Sequence, residues 1–139
     1  MSRQLATFTL EGAHYGVDVM RVQEALRFQP RTAVPMAPAA VAGLVNLRGQ
    51  VVLTIDLRVC LGLDPLPPSA RPMMVVVQVG GEPISLLVDE IGDVIDVDDD
   101  AFEMPPDTLA PSLRGLVTGA FKLEDRLLLA LDVDRAVAA

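Results

Sequence analysis

The segment GLVNLRGQVVLTIDLR, residues 43–58, contains two apolar runs separated by Arg48-Gly49-Gln50. Short apolar runs joined by a glycine-containing turn predict two strands of a hairpin, with Arg48 exposed at its tip. Asp56 ends the second run and is a favourable N-cap, so we expect a short helix from Leu57 that ends at Gly62. The segment therefore predicts a hairpin followed by a helical turn.

The same pattern returns near the C-terminus. When Gly43 is aligned with Gly119, Asp56 falls on Asp132 without a gap between them. A second alignment, of Gly12 with Gly81, overlays the alternating runs 5–10 and 15–22 on the runs around 74–91. Repetition of a turn, a hairpin and a helix signal indicates an internal duplication. We therefore predict a mainly β fold of two similar lobes, each a small barrel of about five strands, with short helices.

A proline-rich segment divides the two copies of the pattern. DPLPPSARP, residues 64–72, contains four prolines and reads as a stiff linker. We expect a single domain over 1–139, with a first lobe at about 1–63 and a second at about 73–139. These boundaries are approximate, and strands are free to cross between the lobes.

Composition limits the classes of function. Hydrophobic residues make up 51% of the chain, which is enough for a packed core, and the net charge is −8. Such a charge disfavours binding to nucleic acid phosphates and to anionic membrane surfaces. The single cysteine, Cys60, excludes an intramolecular disulfide, and no apolar run reaches the ~18 residues of a membrane span. We expect a soluble protein of a reducing compartment.

Catalytic and metal-binding patterns are weak. The only histidine, His14, lies beside a predicted turn with no serine or cysteine motif near it, and neither a Walker A loop nor a GxGxxG fingerprint is present. The acidic run that begins at Asp96 fits only half of a calcium loop, since Ala101 stands where glycine is needed and Asp107 where glutamate is needed. We therefore predict no enzyme activity, no cofactor and no metal site.

Several blocks together resemble one family. VNLRGQVVLTIDLR is similar to the most recognisable block of the CheW-like domain family of bacterial chemotaxis coupling proteins, and YGVDVMRVQEAL, LLVDEIGDVIDV and LEDRLLLALDVDRAV match its other blocks in order. The resemblance implies two SH3-like barrels around a shared core. It also implies a stand-alone, non-enzymatic adaptor in the bacterial cytoplasm, recruited to receptor arrays. Its partners would be the CheW-like regulatory domain of a CheA-type histidine kinase and the cytoplasmic tips of methyl-accepting chemoreceptors.

The resemblance also implies roles for particular residues. Arg48 and Gly49 match the family's Arg-Gly turn, which is associated with coupling and array contacts. Val22 and Glu24 lie in VQEA, where they would line the receptor groove and contact the kinase, respectively. Val94 matches a second-lobe position near that groove. Leu53 departs from the family pattern, because many members have proline there.

One alternative class remains open from the strand pattern alone. A small-ligand-binding or oligonucleotide-binding β-barrel would show similar short strands. The acidic charge, the absence of tryptophan and the few other aromatic residues speak against base stacking.

Overall fold

The computed structural model describes residues 2–67 and 69–138. Within these ranges eleven strands form two sheets. The strands are β1 Ser2–Leu10, β2 Ala13–Asp18, β3 Val22–Leu26, β4 Val41–Leu47, β5 Gln50–Asp56, β6 Met73–Val79, β7 Glu82–Val88, β8 Glu90–Asp98, β9 Phe102–Glu103, β10 Val117–Lys122 and β11 Leu127–Leu131. The helices are α1 Leu57–Cys60, α2 Pro111–Arg114 and α3 Val133–Ala138, and two 3-10 turns span Val19–Arg21 and Asp99–Ala101.

The two sheets share strands from both halves of the chain. The six-stranded sheet has the order β8-β1-β2-β11-β10-β9, and the five-stranded sheet has the order β3-β6-β7-β5-β4. Each half therefore gives its first hairpin to one sheet and its later strands to the other. The predicted mainly β, two-part fold is confirmed. The lobe division at 64–72 stays a prediction, and strands from both sides of this segment lie together in each sheet.

The strand registers reproduce both sequence alignments. Tyr15 pairs with Leu129 in the parallel contact of β2 with β11, and Ile84 pairs with Leu53 in that of β7 with β5. The Gly12–Gly81 alignment places Tyr15 on Ile84, and the Gly43–Gly119 alignment places Leu53 on Leu129. The antiparallel pairs obey the same rule, since Phe8 with Ile91 corresponds to Val77 with Val22. The duplication predicted from the sequence is therefore a duplication of strand pairing.

Two layers of core explain the continuous apolar runs. A central cluster lies between the sheets and includes Phe8, Tyr15, Ile55, Leu86 and Leu129, all buried. Each sheet also covers a smaller cluster of its own, with equivalent members from the two halves. These members pair as Met74 with Leu5, Val45 with Phe121 and Val52 with Leu128. Strands such as β6 and β11 face both layers, so they are apolar on both sides instead of alternating.

The outer strands of the six-stranded sheet meet through a short connection. β8 and β9 stand at opposite ends of the strand order, yet only the 3-10 turn Asp99–Ala101 separates them in the chain. The sheet must therefore curl until its ends approach each other, as in a small barrel. In the five-stranded sheet Thr32 forms an isolated bridge with Leu44 of β4, which is the equivalent of the pairing of Glu103 in β9 with Ala120 in β10.

Candidate partner-binding surface

The hairpin between β4 and β5 presents Arg48 at its tip, as the sequence predicts. Arg48 and Gly49 have φ values of 52° and 86°, the left-handed conformations that a tight two-residue hairpin turn needs. The Gly49 N–H donates to the Asn46 side-chain oxygen at 2.9 Å, and this hydrogen bond stabilises the turn. The Arg48 side chain is 68% exposed. The turn thus fixes the backbone of Arg48, while its guanidinium group remains accessible.

Arg48 forms an ion pair with Glu24, which is another of the residues to which the resemblance gives a role. Arg48 Nη1 donates to Glu24 Oε1 at 2.9 Å, and Nη2 donates to Oε2, so the contact is bidentate. The hydrogen bonds from Arg48 lower the pKa of the Glu24 carboxyl, and the same contact raises the pKa of the arginine. Since Glu24 lies on β3 and Arg48 follows β4, the pair links the two edge strands of the five-stranded sheet.

The two predicted valines occupy different sheets. Val22 begins β3, is half-buried, and packs against the central core. Val94 lies on β8 in the six-stranded sheet, pairs with Ala6 and is 53% exposed. The structure therefore joins Arg48, Gly49 and Glu24 into one surface, places Val22 on the same strand as Glu24, and places Val94 on the other sheet. We call Arg48, Gly49 and Glu24 the hairpin-tip surface.

Arg21 anchors the strand that carries Glu24, a role that no sequence pattern indicated. Its guanidinium donates to the Gln78 carbonyl at 2.7 Å and 3.1 Å and to the Asp134 carboxylate at 2.6 Å and 3.1 Å. Arg21 stands where the chain crosses from the six-stranded to the five-stranded sheet, directly before Val22. The hydrogen bonds from Arg21 lower the pKa of Asp134. The partners lie far apart in the sequence, so only the fold reveals the contact.

Arg58 of α1 makes a more enclosed contact with Asp89. Asp89 lies between β7 and β8, at the second crossover, where the chain returns to the six-stranded sheet. Arg58 Nε and Nη2 donate to the Asp89 carboxylate at 2.8 Å and 2.5 Å, and Nη1 donates to the Asp64 carbonyl at 2.9 Å. Glu11, from the first hairpin turn, lies 3.7 Å from the same guanidinium. Arg58 therefore ties together α1, the start of the linker and both sheets.

The residues considered for catalysis or metal binding pack within the fold or form ion pairs. His14 is half-buried on β2 opposite Thr9 and beside Leu128 of β11. Cys60 packs partly against the central core, and burial raises the pKa of its thiol, which favours the protonated form. In the acidic run Asp99 contacts Arg3 at 3.3 Å and Glu103 contacts Lys122 at 3.1 Å. Asp99 and Glu103 are therefore paired with basic residues of the same chain.

Among residues 2–67 and 69–138, none of the helices has the length and apolar character needed to cross a bilayer.

The chain is thus a mainly β protein of two sheets with an exposed, ion-paired hairpin tip. Comparison with known proteins gives the family, because the model of the CheW-like domain matches residues 4–139. The chain belongs to the CheW-like domain family. This confirms the family resemblance carried by the sequence blocks.

Named relatives agree over nearly the whole length. The probable chemotaxis protein CheW of Rhizobium etli is 32% identical over 132 residues, which cover 95% of this chain and 85% of that protein. The chemotaxis protein CheW of Klebsiella aerogenes is 25% identical over 139 residues, 100% of this chain and 84% of the relative. The crystal structure of the scaffolding protein TtCheW from Thermoanaerobacter tengcongensis superimposes with a TM-score of 0.87 at 26% identity, covering 100% and 94% of the two chains.

Proposed function

We propose that this chain is a non-enzymatic adaptor in chemotaxis-like signalling. It couples the cytoplasmic tips of methyl-accepting chemoreceptors to a CheA-type histidine kinase, through the kinase's own CheW-like regulatory domain. It acts in the bacterial cytoplasm, where it is recruited to receptor arrays. Family membership over residues 4–139 and the scaffolding and chemotaxis names of its relatives support this proposal.

The observation that carries the proposal is the hairpin-tip surface. Arg48 is largely exposed although it is hydrogen bonded to Glu24, so part of its guanidinium remains available to a partner. A planar guanidinium held in position by one carboxylate makes bidentate contacts at little cost in conformational entropy. The left-handed conformation of Gly49 and the Asn46 hydrogen bond keep the turn rigid. A rigid, charged turn suits recognition of a protein surface better than turnover of a small molecule.

Charge reversal at the turn tests this role. Arg48→Glu is expected to weaken co-sedimentation with kinase and receptor fragments by about tenfold or more, since the change removes the partner contact and repels Glu24. Arg126→Glu is the matched control, because Arg126 lies at the equivalent β10–β11 hairpin and is 35% exposed. Equal assembly by the wild type and Arg48→Glu, with both folded by circular dichroism, would falsify the proposed role.

A swapped pair separates partner binding from internal stabilisation. In Arg48→Glu/Glu24→Arg the internal ion pair can re-form with its charges exchanged. Thermal stability is therefore expected to return toward that of the wild type, while assembly stays weak because the partner meets the opposite charge. If the swapped variant assembles normally, the arginine acts only within the fold.

The valines supply a second test. Val22→Ala and Val94→Ala are expected to weaken binding to a receptor-tip fragment, because each removes apolar contact from the proposed groove. Val51→Ala is the matched control for Val94→Ala, since Val51 is 65% exposed on β5. Part of any loss with Val22→Ala will be destabilisation, because Val22 packs against the central core. The other candidate function, a small-ligand or oligonucleotide barrel, gains no support from these relatives.

A further inference from the structure

We propose that Arg27, Arg31 and Arg71, together with Phe28, form a docking surface for an acidic segment of a partner protein. We call these four residues the arginine patch. It lies at the end of β3 and of the linker, and none of the four belongs to the hairpin-tip surface. The proposal does not rest on the proposed coupling function.

The three arginines are set apart by their lack of internal partners. The chain has eleven basic residues against nineteen acidic ones. In the part of the chain that the structure describes, eight of the eleven basic side chains lie within 4.0 Å of an acidic side chain. The other three are Arg27, Arg31 and Arg71, all exposed and with no side-chain hydrogen bond to any described residue. Arg31 and Arg71 share one location, at the ring of Phe28, and Arg27 directly precedes Phe28 in the chain.

The strand pairing explains why they meet. β3 and β6 are antiparallel, and Leu26 pairs with Met74. The chain leaving β3 at 27–31 therefore lies beside the chain entering β6 at 71–72. Arg31 and Arg71 both stand over the ring of Phe28, with their guanidinium carbons 5.7 Å and 5.3 Å from its centroid. The patch is thus a consequence of the fold and brings together two segments distant in sequence.

The arrangement leaves the hydrogen-bonding edges of the guanidinium groups free. A cation–π contact with Phe28 restrains each guanidinium, and neither Arg31 nor Arg71 donates a hydrogen bond to another described residue, so their N–H groups can bind carboxylates in bidentate fashion. Both guanidinium carbons lie within 5.7 Å of one ring centroid, so the two like charges are close enough to repel each other until an anion neutralises them. An anionic ligand would therefore relieve a repulsion already present.

Nearby carboxylates do not satisfy this charge. Asp56 and Asp89 line the same small cavity as Arg31, and Asp89 and Glu90 line a second one with Arg71. None of the three carboxylates forms an ion pair with either arginine. Asp56 already accepts a hydrogen bond from the Arg58 N–H at the start of α1, and Asp89 is bound to the Arg58 guanidinium. The patch contains three of the eleven basic residues of a protein of net charge −8, so it favours a local acidic segment and disfavours an extended polyanion that would run over the surrounding acidic surface. These charges favour an acidic protein segment over nucleic acid.

A peptide titration tests the proposal. The probes are a short acetylated, amidated glutamate-rich peptide and the same peptide with glutamine at every glutamate, followed by ¹⁵N NMR at about 20 mM and about 200 mM NaCl. We expect the acidic peptide to shift the backbone signals of 27–31 and 71, and to bind more weakly at the higher salt. The glutamine peptide is expected to bind at least about tenfold more weakly. Absence of these shifts with the acidic peptide at low salt would overturn the proposal.

Matched variants locate the site. Arg27→Gln/Arg31→Gln/Arg71→Gln is expected to weaken binding of the acidic peptide by about tenfold or more. Arg114→Gln/Lys122→Gln/Arg126→Gln removes the same total charge from basic residues that are paired within the fold, and is expected to change binding by less than about twofold. Equal weakening by the two triple variants would show that only net charge matters, which contradicts the proposal.

Two further measurements keep the test decisive. Arg27→Gln alone, at an exposed side chain without internal partners among the described residues, is expected to weaken the acidic peptide severalfold without lowering the melting temperature. Its failure to weaken binding would remove Arg27 from the site and contradict the patch as defined. A single-stranded DNA oligonucleotide is the competing probe, and tighter binding of it than of the acidic peptide would overturn the assignment of a protein partner.

Discussion

The two sheets have equivalent strands and registers, yet they carry different charges at the same places. Arg48 at the tip of the β4–β5 hairpin corresponds to Glu124 at the β10–β11 connection, and Glu24 on β3 corresponds to Asp93 on β8. The five-stranded sheet therefore has a bidentate ion pair where the six-stranded sheet has two acidic residues, which cannot form one. The apolar and glycine positions therefore preserve the architecture, while the charged positions distinguish the two surfaces.

The same contrast exists at the two crossovers between the sheets. Arg58 on α1 and Asp134 on α3 are equivalent in the Gly43–Gly119 alignment, and each pairs with a residue at a crossover. The polarity is reversed, because the helix supplies the arginine in one case and the aspartate in the other. Burial also differs. The Arg58 and Asp89 side chains are 12% and 18% exposed, whereas Arg21 and Asp134 are 35% and 59% exposed.

The largest expected effect concerns the shared glycine of the two copies. A Cβ on Gly43 would lie 2.6 Å from the Thr32 carbonyl oxygen, and Gly43 has a φ of +136°. Gly43→Ala is therefore expected to lower the free energy of unfolding by about 3 kcal/mol, combining backbone strain with loss of the bridge to Thr32. Chemical denaturation with urea measures the change.

Gly81→Ala is the control for this prediction. Gly81 has a φ of +82°, but nothing lies within 4 Å of its missing Cβ, so only strain of about 1 kcal/mol is expected. At Gly119, the equivalent of Gly43, a Cβ would clash with the Phe102 ring and lie 2.8 Å from the Glu103 carbonyl oxygen. Gly119 does not have a positive φ, so Gly119→Ala should be damaging through this close approach alone. Equal costs at Gly43 and Gly81 would show that close approach of a neighbouring segment is not the reason for the shared glycine.

The second prediction compares the two crossover pairs. Arg58→Met leaves Asp89 poorly exposed and without its partner, so a loss of about 2 kcal/mol in unfolding free energy is expected. Arg21→Met removes the more exposed pair and is expected to cost less, and the cost should shrink at high salt because solvent screens this contact. Thermal and urea unfolding at low and high salt measure both variants. An equal or larger loss for Arg21→Met would reverse the proposed ranking.

Much of this organisation was available from the sequence, because it depends on local patterns. Gly119 repeats Gly43 at the equivalent place in the other sheet, and Asp132 repeats Asp56 directly before the equivalent helix. The exchange of hairpins between sheets was not predictable in detail, since β3 and β8 look like ordinary neighbours of β2 and β7 along the chain. The ion pairs of Arg21 and Arg58, and the arginine patch, join residues distant in sequence. No local pattern encodes such contacts, so they became visible only in three dimensions.

The smallest expected effect is the pH dependence of the buried crossover pair. Burial alone would raise the pKa of Asp89, but hydrogen bonds from Arg58 and from the Glu11 N–H outweigh it and lower the pKa. A carboxyl with a lower pKa in the folded state binds fewer protons there than in the unfolded state, where its pKa is about 3.9. The pair therefore stabilises the fold fully above about pH 4, and this stabilisation is lost as the pH falls through the lowered pKa.

Urea unfolding at a series of pH values measures this dependence. The wild type and Arg58→Met are expected to differ most near neutral pH and to converge in acid, because protonation of Asp89 ends its attraction to Arg58. Arg21→Met serves as the comparison, since the pKa of Asp134 is also lowered but its carboxylate is well exposed, so convergence with the wild type should be weaker and should vanish at high salt. The curves of unfolding free energy against pH for the wild type and Arg58→Met could instead stay parallel from about pH 6 to about pH 2. Arg58 would then stabilise the crossover through its backbone-carbonyl contact and its packing. The charge of Asp89 would not explain the difference between the two crossovers.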